Sequence, residues 1–230
     1  MDSDTAEVGP VTSVRSNADL ASLDRAFESA SAAEIIRWAV EEFGSGLALA
    51  TSMTDAVLID LAVKVEPLVE VFFIDTGYHF DETLHTVEAV RLRYALDLRI
   101  LSCPGGPHGL WRSDPDGCCA IRKVGQLDRA LQGKSAWLSG LRRAESATRA
   151  DLPIVSRDVR GLVKVNPIAN WSDLDVRHYI ADNDVPVNPL VAQGYSSIGC
   201  QPCTRPVALG AEPRSGRWVG FDKTECGLHL

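Results

Sequence analysis

Residues 46–77 read GLALATSMTDAVLIDLAVKVEPLVEVFFIDTG. Two short apolar runs, Gly46-Leu-Ala-Leu-Ala50 and Val69-Glu-Val-Phe-Phe-Ile74, bracket Ala56 to Lys64, which carries its apolar residues at helical spacing. Apolar runs this short read as strands buried on both faces, and strand–helix–strand in this span is the unit of a parallel sheet with helical crossovers. Each run empties into a loop of small and hydroxyl-bearing residues: Thr51-Ser52-Met53-Thr54-Asp55 after the first, Asp75-Thr76-Gly77 after the second.

The alternation extends in both directions. Upstream, Leu20, Leu23 and Phe27 mark a first helix, and Ser31 to Glu34 forms a capping box for a second that carries Ile35, Trp38, Ala39 and Phe43 to a stop at Gly44. Downstream come a helix over about 80–95, a third strand at Leu98-Arg-Ile-Leu101, a helix from Cys118-Cys119 to Leu131 and a fourth strand at Ser135-Ala-Trp-Leu-Ser-Gly140. Leu162-Val-Lys-Val165 is a fifth strand, and Trp171-Ser172-Asp173 caps a helix reaching about Asn183. The expected class is α/β, a parallel sheet covered by helices. Residues 1–17, polar and without periodicity, read as a mobile leader, 18–198 as the α/β nucleotide-binding domain, and 199–230 as a loop-rich, cysteine-bearing tail.

The bulk composition limits the function classes. The 230 residues are 45% hydrophobic and 23% charged, enough for a sizeable core. A net charge of −8 argues against general nucleic-acid or anionic-membrane binding, so an anionic substrate would need a local cluster of Lys and Arg. No apolar run nears the about 20 residues that span a bilayer, and the acidic start Met1-Asp2-Ser3-Asp4 is no signal peptide. The expected location is the cytoplasm, where the six cysteines would stay reduced, bind metal or do chemistry.

Ligands of an open α/β sheet bind beyond the carboxyl ends of its strands. Ser52 to Asp55, between strand and helix, offers backbone N–H groups and hydroxyls to an anion, and Gly77 lets the chain approach a ligand closely. Both loops read equally well as ordinary Ser/Asp helix caps. Neither is a Walker A loop, and no Gly-x-Gly-x-x-Gly motif supports a dinucleotide.

The cysteines come in two styles. Cys118-Cys119 and the Cys-x-x-Cys of Cys200 and Cys203 make a set of four thiols. Consecutive cysteines point in different directions and suit one tetrahedral zinc poorly, whereas an iron–sulfur cube can take neighbouring residues on different irons. The spacing favours the cluster and leaves zinc open. Cys226, four residues from the end, has His229, Lys223 and Arg214-Ser-Gly-Arg217 nearby in sequence. Cations lower a thiol pKa from about 8.5 towards neutrality, so Cys226 reads as a reactive thiol, the plainer alternative being a surface thiol. Cys103 has no partner at metal-ligand spacing.

Together these pieces resemble the assimilatory sulfonucleotide reductases, in the iron–sulfur branch that reduces adenosine 5′-phosphosulfate (APS). The residues carrying the resemblance are Cys118-Cys119-Ala-Ile-Arg-Lys123, Trp137-Leu-Ser-Gly-Leu-Arg-Arg143, Val165-Asn-Pro, Gly199-Cys-Gln-Pro-Cys-Thr-Arg-Pro206, Arg214-Ser-Gly-Arg-Trp218 and Glu225-Cys-Gly-Leu-His229. The resemblance implies an adenine nucleotide α-hydrolase-like (PP-loop-type) sheet and a [4Fe-4S] cluster on Cys118, Cys119, Cys200 and Cys203. It implies Cys226 as nucleophile, an S-sulfocysteine intermediate, and thioredoxin as the reductant that frees sulfite. Lys123, Arg142, Arg143, Arg214, Arg217 and His229 are the expected cations around the substrate. Its phosphate would lie near Ser52, with Asp75, Thr76 and Gly77 towards the adenosine. Family members often carry a glycine-bearing segment where this chain has the shorter Ser52 to Asp55. The rivals are a 3′-phosphoadenosine 5′-phosphosulfate (PAPS) reductase, whose branch typically lacks the cysteine pairs, a tRNA thiolation enzyme, whose pyrophosphate loop is missing, and a zinc-binding interaction module. A homo-oligomer is compatible with the sequence.

Overall fold

The computed structural model describes residues 15–103, 105 and 107–228. Its core is one six-stranded sheet: β1 (Leu47–Thr51), β2 (Val71–Asp75), β3 (Arg99–Ser102), β4 (Ala136–Leu138), β5 (Val155–Arg157) and β6 (Val163–Val165). The strand order is β3-β2-β1-β4-β6-β5. Every pair is parallel except β5 with β6, where Val155 faces Val165 and Arg157 faces Val163. The chain runs outward from β1 to β2 and β3 on one side and to β4 and β6 on the other. The carboxyl ends of β1 and β4 therefore flank the topological switch point, where an open α/β sheet holds its ligand.

Each helix starts for a readable reason. Helices α1 (Asn17–Phe27), α2 (Ala32–Phe43) and α7 (Asp173–Asn183) open on capping boxes at Ser16, Ser31 and Ser172, the last two anticipated from sequence. Residues 1–14 of the expected leader lie outside the described residues. Its last three do not behave as a leader: Arg15 pairs with Glu42, and Ser16 caps α1. Helix α3 (Val57–Val65) follows β1, and α4 (Asp81–Tyr94) follows β2.

One sheet face is covered by α2 and α3 over Ile35, Ile36, Leu49, Ile59, Phe73 and Leu138. Burying each such side chain contributes about 1.5–3 kcal/mol relative to leaving it in water. The other face carries a smaller cluster, Ala48, Phe72, Leu101, Leu127 and Trp137, on which Leu228 of the tail packs. Among the described residues no helix is long and apolar enough to cross a membrane.

Two elements differ from expectation. The antiparallel strand β5 is not apparent in the sequence, because Val155-Ser-Arg157 carries one apolar residue, whereas the equally short β4 and β6 are mostly apolar. The helix expected over 118–131 is three pieces: α5 (Pro115–Cys119), a π-helical turn Ala120–Val124, and α6 (Gly125–Ala130). It starts earlier because Asp114 caps it, accepting from Gly117 N at 2.8 Å, with Pro115 in the first turn.

Candidate active site

The four cysteines of the two pairs meet. Cys118, Cys119, Cys200 and Cys203 line one cavity at the carboxyl end of the sheet, together with Tyr78, Trp111, Arg122 and Lys123. All four are free thiols. The π-helical turn places Arg122 and Lys123 in this wall, both buried. Cys200 caps a short 3-10 turn, Gln201–Cys203, whose Pro202 sits in its first turn.

The loop after β2 ties the pairs together. Thr76 Oγ1 lies 3.3 Å from Cys200 Sγ, and the Thr76 carbonyl accepts from Arg122 Nη1 at 2.8 Å. Asp75 Oδ1 accepts from the N–H of Gly77 at 2.8 Å, and Gly77 takes φ +72°, the left-handed region open to glycine. Thr76, expected near adenosine, thus turns towards the cysteines.

The donor set fits a polynuclear centre. Among the described residues no three His, Cys, Asp or Glu side chains converge on a point where a single ion could sit. The thiols instead surround a shared space, as ligands spread over several irons must. Burial pushes the Cys118 and Cys119 thiols up, and burial followed by the Cys200 charge pushes Cys203 up to about 11. Positive charge at the cavity is therefore required, and Lys123 supplies it. Burial opposes its charge, but Cys200, Cys226 and Cys119 outweigh that and raise its pKa.

The tail folds back over this wall. Trp218, buried at φ +48°, donates its backbone N–H to the Cys203 carbonyl at 3.0 Å. Four cations surround its indole: Arg217 at 4.4 Å from the centroid, Lys223 at 5.4 Å, Arg214 at 5.7 Å and Lys123 at 5.9 Å. Ser197 Oγ accepts from Arg217 Nη1 at 3.1 Å and Arg214 Nη1 at 3.4 Å. Trp218 Nε1 and Arg217 Nε are buried and have no acceptor among the described residues. Half-buried Cys226 stands within electrostatic reach of Lys123 and Cys119, while Lys223 pairs with Asp116 at the start of α5.

Of the expected substrate cations, Lys123, Arg214 and Arg217 are brought together with Cys226. Arg142 and Arg143 are not. Arg142 donates to Asp173 at 2.8 Å and to the Trp171 carbonyl at 3.2 Å, fastening the start of α7, though its charge is felt by Asp55. Arg143 grips both oxygens of Glu28 at 2.9 and 2.6 Å and the Leu152 carbonyl at 2.8 Å. His229 lies outside the described residues. Ser52 is exposed at the end of β1, and Asp55 Oδ1 accepts from the N–H of Val57, the first residue of α3, at 3.0 Å. Cys103 stands apart, its thiol donating to the Gly105 carbonyl at 2.9 Å.

Sequence reasoning left Arg149, Glu225 and Trp218 out of the site. Arg149 binds Glu225 through two parallel hydrogen bonds, Nε to Oε1 at 3.0 Å and Nη2 to Oε2 at 2.9 Å. The signal available was the position of Glu225 beside Cys226; nothing local connects either to Arg149.

A family model described as phosphoadenosine phosphosulfate reductase domain matches residues 46–206. A Mycolicibacterium smegmatis protein named adenosine 5′-phosphosulfate reductase is 49% identical over 87% of this chain and 89% of its own length. One of the same name from Mycobacterium tuberculosis is 47% identical, over 88% of this chain and 90% of its own. The crystal structure of a phosphoadenylyl-sulfate (PAPS) reductase from Candida auris, a phosphate complex, superposes with a TM-score of 0.75 at 32% identity, covering 83% of this chain and 98% of that one.

Proposed function

The chain belongs to the phosphoadenosine phosphosulfate reductase family, and we propose that it reduces APS to sulfite and AMP in the cytoplasm, as a step of sulfate assimilation. The observation that carries this reading is the meeting of both cysteine pairs in one cavity, with Cys226 within electrostatic reach of Lys123 in its wall.

Cys226 attacks the sulfate sulfur as its thiolate. The bond from sulfur to the bridging phosphate oxygen breaks, AMP leaves with that electron pair, and Cys226 becomes an S-sulfocysteine. A reduced dithiol, for which thioredoxin fits, then attacks the Cys226 sulfur. Sulfite departs, a mixed disulfide forms, and the second thiol of the donor resolves it. Two electrons pass from the dithiol to sulfur, and the donor leaves as a disulfide.

The residues suit the electrostatics. Sulfate and phosphate repel a thiolate, and preorganised cations at the reacting centre offset that repulsion. Lys123, Arg214 and Arg217 provide them around Trp218. Cys118, Cys119, Cys200 and Cys203 would hold a [4Fe-4S] cluster, which with four cysteine ligands has no open iron and supplies charge and structure. Zinc is the rival occupant, and iron and zinc analysis of anaerobically purified protein separates the two: brown protein with iron is expected, and colourless protein with stoichiometric zinc sinks the cluster.

The test of the reaction is mass spectrometry of the protein mixed with APS before any dithiol is added. A sulfite adduct on Cys226 is expected, lost on adding reduced thioredoxin; normal turnover by Cys226→Ser would overturn the mechanism. The Candida auris likeness keeps PAPS in view as a second substrate, and kcat/KM for the two nucleotides decides between them.

A further inference from the structure

Glu225 commits both carboxylate oxygens to guanidiniums. Oε1 accepts from Arg149 Nε at 3.0 Å, and Oε2 accepts from Arg149 Nη2 at 2.9 Å and Arg214 Nη2 at 3.0 Å. The Arg149 and Arg214 side chains are only 10% and 12% exposed. Arg149 also pairs with Glu145, and Arg214 Nη2 donates to the Thr224 carbonyl at 2.8 Å. These are charge-assisted, largely desolvated bonds in the paired geometry that a guanidinium also offers to phosphate and sulfate oxygens.

Within these four side chains the carboxylates offset the guanidiniums, and Arg217 and Lys164 add positive charge close by. Arg149 and Arg214 contribute two positive charges, and Glu145 and Glu225 two negative ones. The phosphosulfate bridge of APS carries two negative charges of its own. The guanidinium N–H groups that such a dianion would use are already taken by carboxylate oxygens, so it can bind them only if an anion leaves in exchange. Glu145 is held locally, four residues from Arg149 and accepting from the backbone N–H of Arg142 at 3.3 Å. Glu225 belongs to the tail, where Gly227 at φ +78° lets the chain turn sharply two residues later. The removable anion is Glu225, and one peptide bond joins it to Cys226.

We propose that the Glu225 carboxylate is an internal stand-in for the phosphosulfate, occupying Arg149 and Arg214 until the substrate displaces it, so that anion exchange at these guanidiniums re-aims the adjacent Cys226. Glu225 is a positioning residue in this scheme, and the scheme rests on APS being the substrate. It links two properties that a reductase of this kind needs to couple. The nucleophile is held through Glu225 while the site is empty, and it is freed by the arrival of the anion it attacks.

A plain anchor predicts the opposite sign. If Glu225 only held the tail in its attacking position, its removal would weaken substrate binding; as a competitor, its removal strengthens binding. The test is titration calorimetry with APS on the iron-replete Cys226→Ser protein, which cannot turn over, with and without Glu225→Gln. About tenfold tighter binding is expected for the Gln variant, and a Kd within about twofold of the parent for Glu225→Asp, which keeps the competing charge. Equal or weaker binding by a folded, iron-replete Gln variant overturns the proposal. A second measurement needs no change at Glu225: carbodiimide coupling of glycine ethyl ester, mapped by peptide mass spectrometry. Labelling of Glu225 rises on saturating the Cys226→Ser protein with APS if the carboxylate is expelled; unchanged or reduced labelling overturns the proposal as well. Failure of APS to bind any of these proteins overturns the substrate assignment, and the stand-in with it.

Discussion

Thr76 joins the two cysteine pairs: its hydroxyl lies 3.3 Å from Cys200 Sγ, while its carbonyl accepts from Arg122, three residues beyond Cys119. Strand β2 ends at Asp75, so the sheet reaches the cavity through the buried Thr76 and through Tyr78, whose carbonyl accepts from Gln201 N at 2.7 Å. Thr76→Val keeps the branched shape and removes the hydroxyl. It should destabilise the protein by about 1 kcal/mol and speed iron loss to a chelator, read as decay of visible absorbance, with Thr76→Ser near wild type. Identical bleaching rates for Val and Thr would show the contact to be idle.

Gly199 precedes Cys200 and has the Arg217 guanidinium against its α-carbon, where an added Cβ would collide with it. Gly199→Ala should therefore push Arg217 off Ser197 and off the Trp218 ring without touching a cysteine. The expected result is a KM for APS raised about tenfold, the scale of one hydrogen bond to a charged group, with iron content unchanged. An unaltered KM would remove Arg217 from the substrate's surroundings.

The strands that build the sheet were legible because burial on both faces forces apolar runs, as at Leu47–Thr51 and Val71–Asp75. The cysteine set was legible because ligand chemistry restricts residue type and spacing. The arginines were not. Arg143 and Arg149 sit in the same polar loop, yet one reaches Glu28, 115 residues away, and the other Glu225, 76 residues away. Which of two neighbouring guanidiniums enters a site is decided by where a distant carboxylate lands, and no local pattern carries that. The π-helical turn is hidden for a related reason, since its one-residue change of helical phase leaves composition unaltered.

Lys164, on β6, is buried with its ammonium 5.1 Å from the Trp137 ring centroid. Burial, with Arg149 and Arg160 adding to it against Asp158 and Glu225, lowers its pKa to about 8. The unfolded value is about 10.4, so between these pH values the unfolded chain holds a proton that the folded one has released. The cost of Lys164 is therefore full below pH 8 and is relieved as pH rises to about 10.4, by about 2–3 kcal/mol in all. Lys164→Met removes this titration. Urea midpoints across that range should show wild type gaining on the variant as pH rises, and parallel curves would refute the shift.

The tail is fastened to the cysteine segment rather than directly to the sheet over most of its length. Arg205 N donates to the Gly216 carbonyl at 2.8 Å, Trp218 N to the Cys203 carbonyl at 3.0 Å, and Thr204 bridges to Arg217. Gly216 packs so closely on the Arg205 carbonyl that a Cβ there would strike it. Residues 204–218 thus form a clasp whose base is Cys200 and Cys203, and burial disfavours a charged thiolate at a metal-free Cys203. Stripping iron should loosen the clasp by local unfolding while the sheet stays folded. Limited trypsin digestion reads this directly, since Arg214 and Arg217 lie within it. The iron-free protein should be cut in this segment about tenfold faster or more, with the sheet-bearing body ahead of it surviving. Equal cleavage rates with and without iron would mean that the clasp holds itself, and that the four thiols do not organise the tail.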